Sequence, residues 1–235
     1  MDPTAERSHR LFAGFSPEER ERILALGVPR AYRRGEILFR EGEPAATLHL
    51  AESGRIKLTQ LTAGGEEVIL RYVAPGEVFA AMALFSGGTY PVTAEATERS
   101  RVRTWSGETL EALLRDQPQV EANLLRIVSA HTREVLGRVR ELSTETVAQR
   151  LARTLLRLGA QIGHREPEGG AGGMGGIVVD RITQQELAQI AGTTLYTVSR
   201  TLGDWQSQGI LETGRRRYRI VDPERLARIA EGAEG

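Results

Sequence analysis

The chain has 235 residues, with 31 Lys plus Arg against 31 Asp plus Glu, four histidines and no cysteine. Balanced charge excludes a uniformly basic nucleic-acid coat, so any DNA-binding surface has to be local. The lack of cysteine removes disulfides, zinc-thiolate sites and cysteine-ligated iron–sulfur clusters, and it fits a reducing compartment.

The first ten residues carry charges but no apolar core of the kind a secretory signal needs, and no later apolar run is long enough to span a bilayer. The expectation is a soluble, cytoplasmic protein with no membrane partner. Ser16-Pro-Glu-Glu opens a helix: serine caps, proline fits the first turn, and the acids favour the positive end of the dipole. Leu11, Phe12, Phe15, Ile23, Leu24 and Leu26 would anchor this start on the body. From Tyr32 to about Trp105, short apolar stretches are punctuated by glycine, which indicates an all-β roll or sandwich. The candidate strands are 36–39, 47–51, 54–61, 66–73 and 90–96, with a hairpin turn at Thr62-Ala-Gly-Gly-Glu.

Residues 107–117 read as a short helix and Pro118 as the first turn of another. The run 119–142 places Val120, Leu124, Val128, His131, Val135 and Leu142 close to a heptad seam. So long a stripe needs a partner, and a second copy of the chain would also present two DNA readers to a palindromic site. Ser143 caps or breaks that helix before another amphipathic one over 146–162. The glycine-dense stretch 168–176 lacks the Lys-Ser or Lys-Thr of a phosphate loop and reads as a flexible linker. Ile177-Val-Val is a short strand.

Thr183 to Gly209 reads as a helix-turn-helix. Thr183 and Glu186 form a capping box, Gly192 leaves the first helix, and Thr193 or Thr194 caps the second. In that second helix Leu195, Val198, Leu202 and Trp205 share an apolar face. Tyr196, Thr197, Ser199 and Arg200 point elsewhere, where hydroxyls and a guanidinium can meet base edges and phosphates. Two strands then turn at Gly214, with Arg215, Arg216 and Arg217 at the tip as a wing suited to a phosphate backbone. The DNA-binding set is completed by Thr183 and Gln184 at the start of the first helix and by Thr193 and Thr194 in the turn. Residues 223–229 form a small terminal helix.

With these residues laid out, the sequence resembles the Crp/Fnr superfamily of bacterial transcription regulators over nearly its full length. The resemblance rests on Gly35-Glu-Ile-Leu-Phe-Arg-Glu-Gly42-Glu with Leu48 to Gly54 and Gly54-Arg-Ile-Lys-Leu, on Pro75-Gly-Glu-Val-Phe79, and on Ile182-Thr-Gln-Gln-Glu-Leu-Ala through Thr197-Val-Ser-Arg200 to Gln208-Gly-Ile-Leu. It implies an α+β chain: a jelly-roll-like β-roll sensor (1–117), a dimerisation helix (118–142) and a winged helix-turn-helix (143–235). The implied partners are double-stranded DNA, a second copy of the chain and RNA polymerase.

Family members that bind cyclic AMP carry a Gly-Glu pair and an Arg-Ser or Arg-Thr pair where this chain has Ala80-Ala81 and Pro91-Val92. No cation stands at the phosphate position, and a buried phosphate without one is costly, so cyclic AMP is not the expected effector. The apolar segment Val78 to Phe85 looks more like the nitric-oxide and carbon-monoxide branches, which the resemblance associates with haem. His131 and His49 are the histidines to consider as axial ligands, although packed side chains are the stronger reading of both. A third possibility is no small effector. The tentative pocket comprises Phe79, Ala80, Ala81, Met82, Leu84, Tyr90, Val92, Thr93 and His131. An enzyme is not expected: there is no cysteine nucleophile, metal-spaced histidine cluster or nucleophile elbow. The alternative from another class is a ligand-sensing module acting on a protein partner.

Overall fold

A computed structural model describes residues 10–85, 88–166 and 175–233, and the side chains of Leu84 and Phe85 lie outside that description. The chain forms two compact units, one ending at Leu136 and the other beginning at Gly137. The elements in order are α1 (Pro17–Ala25), β1 (Val28–Tyr32), β2 (Ile37–Phe39), β3 (Thr47–Ser53), β4 (Ile56–Leu61), β5 (Glu67–Val73), β6 (Val78–Phe79), α2 (Ala81–Phe85), β7 (Thr93–Ala96) and β8 (Ser100–Ser106). There follow α3 (Gly107–Asp116), α4 (Pro118–Thr144), α5 (Val147–Ile162), β9 (His164–Glu166), β10 (Gly176–Asp180), α6 (Gln184–Ala191), α7 (Leu195–Ser207), β11 (Leu211–Gly214), β12 (Arg217–Ile220) and α8 (Pro223–Glu231).

In the first unit two four-stranded antiparallel sheets, ordered β1-β8-β3-β6 and β2-β7-β4-β5, enclose a core. Phe39, Ile56, Val73, Ala94 and Ala96 meet Ala51, Phe79 and Val102 from the other sheet there. Strand β3 shows how alternation divides the labour: Ala51 faces this interior, while Leu48 and Leu50 face outward beneath helices. That outer core joins Leu48, Leu50, Val78 and Trp105 to Leu11, Phe12 and Ile23, to Leu110 and Leu113 of α3, and to Val120, Leu124 and Ile127 of α4. Polar ties fix its edges. The Trp105 indole donates to the Ile23 carbonyl at 3.0 Å, and the Asn123 amide donates to the Leu11 and Ala13 carbonyls at 2.8 and 2.9 Å.

This packing corrects the predicted seam. Val120 and Leu124 are 1% and 0% exposed inside the core of their own unit and cannot face a partner. The exposed apolar side chains of α4 are instead Leu125, Val135, Leu136, Val139 and Leu142, with Val128 partly buried and His131 half-buried. Of the predicted seam, Val128, Val135 and Leu142 stay on this stripe while Val120 and Leu124 leave it, because the first half of the helix also has to cover the roll.

Ser16 caps α1 as expected and forms a capping box with Glu19, whereas Thr146, read from the sequence as the first helical residue, is the cap of α5. Ser143 does not break α4; its hydroxyl donates to the Val139 carbonyl at 2.9 Å, which is compatible with helix, and the helix runs on to Thr144. Strands β1, β6, β8 and β9 were not expected. Strand β1 is an edge strand, exposed along most of its length and carrying Pro29, so it offers no alternation to read. By contrast β8 does alternate, with Ser100, Val102 and Thr104 buried between more exposed arginines, and the signal was available. The predicted linker at 168–176 falls largely outside the described residues.

Helices α5, α6, α7 and α8 pack with a third sheet, ordered β11-β12-β10-β9, in the second unit. Its core is built on Leu151, Leu155, Val178, Val179, Leu187, Val198, Leu202, Ile210 and Tyr218, each almost wholly buried. Burying a leucine or valine of this kind stabilises by about 1.5–3 kcal/mol, against about 1 kcal/mol for a helix cap. Packing therefore dominates, and the caps set where each helix starts.

Candidate functional site

Thr183 begins α6 with a capping box in which its backbone N–H donates to the Glu186 carboxylate at 2.7 Å and the Glu186 N–H donates to the Thr183 hydroxyl at 3.1 Å. The threonine hydroxyl also donates to that carboxylate at 2.8 Å, so Thr183 is engaged within the fold. Helix α6 ends at Gly192, whose φ is 63° and whose added Cβ would lie 2.7 Å from a Leu142 methyl. Only glycine meets both conditions. The carbonyls left over at that end are taken by arginines: Arg138 donates to the Ile190 carbonyl at 2.6 Å, and Arg150 donates to those of Ala191 and Gly192 at 2.9 and 3.1 Å. Sequence reasoning missed Arg138 and Arg150, whose partners lie about forty to fifty residues away.

Thr194 caps α7, its hydroxyl accepting from the Thr197 N–H at 3.2 Å and bonding the Thr197 hydroxyl at 2.9 Å. Val198, Leu202 and Trp205 form the buried face as expected, but Leu195 does not belong to it and is 46% exposed. Tyr196, Ser199 and Arg200 are exposed, Thr197, Gln184 and Thr193 are half-buried. Thus α7 offers an outward face bearing Tyr196, Ser199 and Arg200, braced from behind by the turn and its arginines.

Strands β11 and β12 pair Gly214 with Arg217, which leaves Arg215 and Arg216 as a two-residue turn. The turn therefore lies one residue beyond Gly214, where the sequence reading put it, and Arg216 in it is left-handed with φ 60°. Its carbonyl accepts from the Arg181 N–H at 2.6 Å, and Arg181 is itself left-handed with φ 64°. Arg215 and Arg216 are exposed at the tip. Arg217 is different: it pairs with Glu166 and lies 3.6 Å from Asp180, so it ties strands β9, β10 and β12 together rather than standing free for phosphate.

The tentative effector residues divide between both cores. Phe79, Ala80, Tyr90 and Val92 join the interior of the roll, Ala81 joins the outer core, and Met82 is exposed. Thr93 accepts from the Glu41 N–H at 3.0 Å, and Leu84 lies outside the described side chains. Inside the roll the rings of Tyr90, Phe39, His49 and Phe79 form a cluster, with Tyr90 on Phe39 at 3.9 Å between centroids and Phe39, His49 and Phe79 mutually 5.3, 5.0 and 6.2 Å apart. The Tyr90 and Thr47 hydroxyls bond at 2.9 Å, and the two ring nitrogens of His49 lie 2.8 and 3.1 Å from the hydroxyls of Thr47 and Thr104. Burial is the main reason the His49 pKa is held down to about 4, with Arg30 adding to it. His131 is likewise lowered to about 4 by burial, then by Arg71 and Arg10. His49 has both ring nitrogens within hydrogen-bonding distance of threonine hydroxyls, so it is engaged within the roll rather than free as an iron ligand.

The cyclic nucleotide-binding domain family matches residues 29–117, and the Crp-like helix-turn-helix domain family matches residues 149–229. A CRP-like cAMP-activated global transcriptional regulator of Mycobacterium tuberculosis is 30% identical over 222 residues, covering 94% of this chain and 96% of its own. The chain belongs to the Crp/Fnr superfamily of transcription regulators. The cyclic AMP receptor protein of Thermus thermophilus is 32% identical, with 94% and 97% covered. Among solved structures, FixK2 from Bradyrhizobium japonicum is similar with a TM-score of 0.73 at 26% identity, covering 86% of this chain and 96% of that one. This Crp/Fnr protein is therefore a DNA-binding regulator with a cyclic nucleotide-binding-like domain.

The placement of its arginines gives two tests, one at the helix and one at the wing. Arg200→Ala should cost about 1–3 kcal/mol on a cognate site and relax one base position in each half-site, read by selection on randomised duplexes. Arg216→Gly should raise the melting temperature, since it relieves left-handed strain of about 1–2 kcal/mol, yet flatten the salt dependence of DNA binding by about one phosphate contact per subunit. Arg217→Ala should do the reverse, lowering stability and leaving the salt slope alone.

A third expected outcome concerns pH. With a folded pKa of about 4 against 6.5, the unfolded chain binds the His49 proton first as pH falls. The stability this confers is complete above about 6.5 and is lost towards pH 4, by about 3 kcal/mol for a shift of that size. Denaturant titrations across that window should show the decline. His49→Phe should reduce it, leaving the contribution in the same direction from His131.

Proposed function

We propose that the protein acts as a homodimer on a palindromic operator, regulates transcription through RNA polymerase, and does not use cyclic AMP as its effector. The observation that carries the dimer is the apolar stripe on α4. Leu125, Val128, Thr132, Val135, Val139 and Leu142 follow one another at alternating spacings of three and four, with Leu136 beside them. Leu125, Val135, Leu136, Val139 and Leu142 are all exposed, and a stripe of this length is seldom left bare to water. Two copies joined along it would offer two α7 helices to half-sites about one DNA turn apart.

The M. tuberculosis and T. thermophilus relatives are described as cAMP-activated and as a cyclic AMP receptor, respectively. Against carrying that property over stand Ala80, Ala81, Pro91 and Val92, none of which offers a charge to a ribose or phosphate. The roll interior is also filled by its own side chains: Ala80 and Val92 pack on the core, and the Tyr90 ring joins the aromatic cluster. Ala80 even holds a left-handed φ of 68°, a conformation that usually selects glycine. A regulator whose activity follows its abundance fits this interior better than one switched by a nucleotide.

Val135→Glu tests the dimer. Two carboxylates facing each other across the stripe without partners cost several kcal/mol, on the order expected for buried unpaired charge, so sedimentation should show monomer. A dimer unchanged by that substitution would put the interface on another face. Calorimetric titration with cyclic AMP should show no saturable micromolar site; such a site, abolished by changing Tyr90 or Thr93, would restore the nucleotide as effector.

A further inference from the structure

We infer that the first turn of α7 reads thymine through its 5-methyl group, using Leu195 together with Tyr196; this rests on α7 being the helix that enters the major groove. Beyond the long helix α4, the exposed large apolar side chains of the second unit are two among the described residues, and they are adjacent: Leu195 at 46% and Tyr196 at 75%. Scattered exposed hydrophobics need no explanation, but here the only pair is concentrated on the one helix turn that would face the bases. At 3.6 residues per turn, Leu195, Ser199, Gly203, Tyr196 and Arg200 fall within an arc of about 140°, whose Leu195 edge adjoins the buried face of Val198, Leu202 and Trp205.

The polar groups of that turn are otherwise engaged. The hydroxyls of Thr194 and Thr197 bond each other, and Thr194 also accepts from the Thr197 N–H. What projects from the start of the helix is therefore an isobutyl group and a phenol ring. A leucine side chain has no donor or acceptor, so it can discriminate base edges in the major groove only by apolar contact, and thymine alone among the four bases presents a methyl group there. Gly203 supports close seating: it lies near the middle of the exposed arc, and a Cβ added to it would meet no atom within 4 Å. Nothing inside the protein asks for glycine at this point, although glycine in a helix interior is unfavourable relative to alanine. A bare backbone there lets the helix lie deeper against DNA. The half-site that results has at least one thymine contacted by the first turn and a guanine opposite Arg200.

The experiment uses the full-length protein and a duplex obtained by selection from randomised DNA. Each thymine of the half-site is replaced singly by deoxyuridine, which removes only the methyl group. For the wild-type protein, one or two replacements should weaken binding by about fourfold, the factor expected for losing one buried carbon. That penalty should vanish in Leu195→Ala or Tyr196→Ala and persist in Leu195→Met, which keeps an apolar contact. Since both side chains are exposed, the variants should melt like the parent, and a variant that does not is replaced by Leu195→Gln in the same comparison. Should no deoxyuridine replacement matter, or should its penalty survive unchanged in both alanine variants, the inference is overturned. Arg200→Ala separates this failure from a deeper one: if it still relaxes the guanine position, α7 reads DNA without thymine methyls, and if it leaves the selected motif unchanged, α7 is not the reading helix.

Discussion

The reader depends on how the carbonyls at the end of α6 are satisfied. A helix that stops after two turns leaves acceptors without intrahelical partners, and those of Ile190, Ala191 and Gly192 are claimed by Arg138 and Arg150. Gly192 makes this possible by turning the chain at positive φ with a Leu142 methyl directly beneath it. These bonds carry a formal charge and are correspondingly strong, in the range of about 1.5–3 kcal/mol for each, more than any one of the helix caps nearby. Because Arg138 and Leu142 belong to the last turns of α4, the end of that helix is structurally part of the DNA-binding unit.

The roll shows the opposite use of polar groups. Its interior contains a histidine, a tyrosine and two threonines, yet they satisfy one another instead of waiting for a ligand. Phe39 and Phe79 pack against His49, and burial then keeps the imidazole neutral. Likeness to the cyclic nucleotide-binding domain family concerns the fold, and fold-level likeness does not by itself transfer an effector.

Much of the architecture was legible in the sequence because it rests on local rules. The caps at Ser16 and Thr183 involve residues three apart, and Gly192 marks its own turn. Periodicity separated roll from helices and found the buried face of α7. What it could not supply were features set by distant partners. Where the α4 stripe begins depends on the roll side chains that take Val120 and Leu124. Arg217 looked like its two neighbours until Glu166 and Asp180 came beside it. Leu195 fitted the apolar repeat by spacing, but as the first residue of α7 it lies at the edge of the buried face and stays partly in water. His49 gave no sign in the sequence that both its nitrogens were already engaged.

The central claim is that one polar helix face per chain, doubled by the α4 stripe, reads DNA as a symmetric pair. Its most direct measurement is sedimentation of the protein, without added ligand, on a selected duplex carrying either the full inverted repeat or one half-site. The account predicts two chains per duplex on the inverted repeat, with half-site centres about 10 base pairs apart and affinity falling steeply when one half is scrambled. One chain per duplex, with equal affinity for the single half-site, would contradict it.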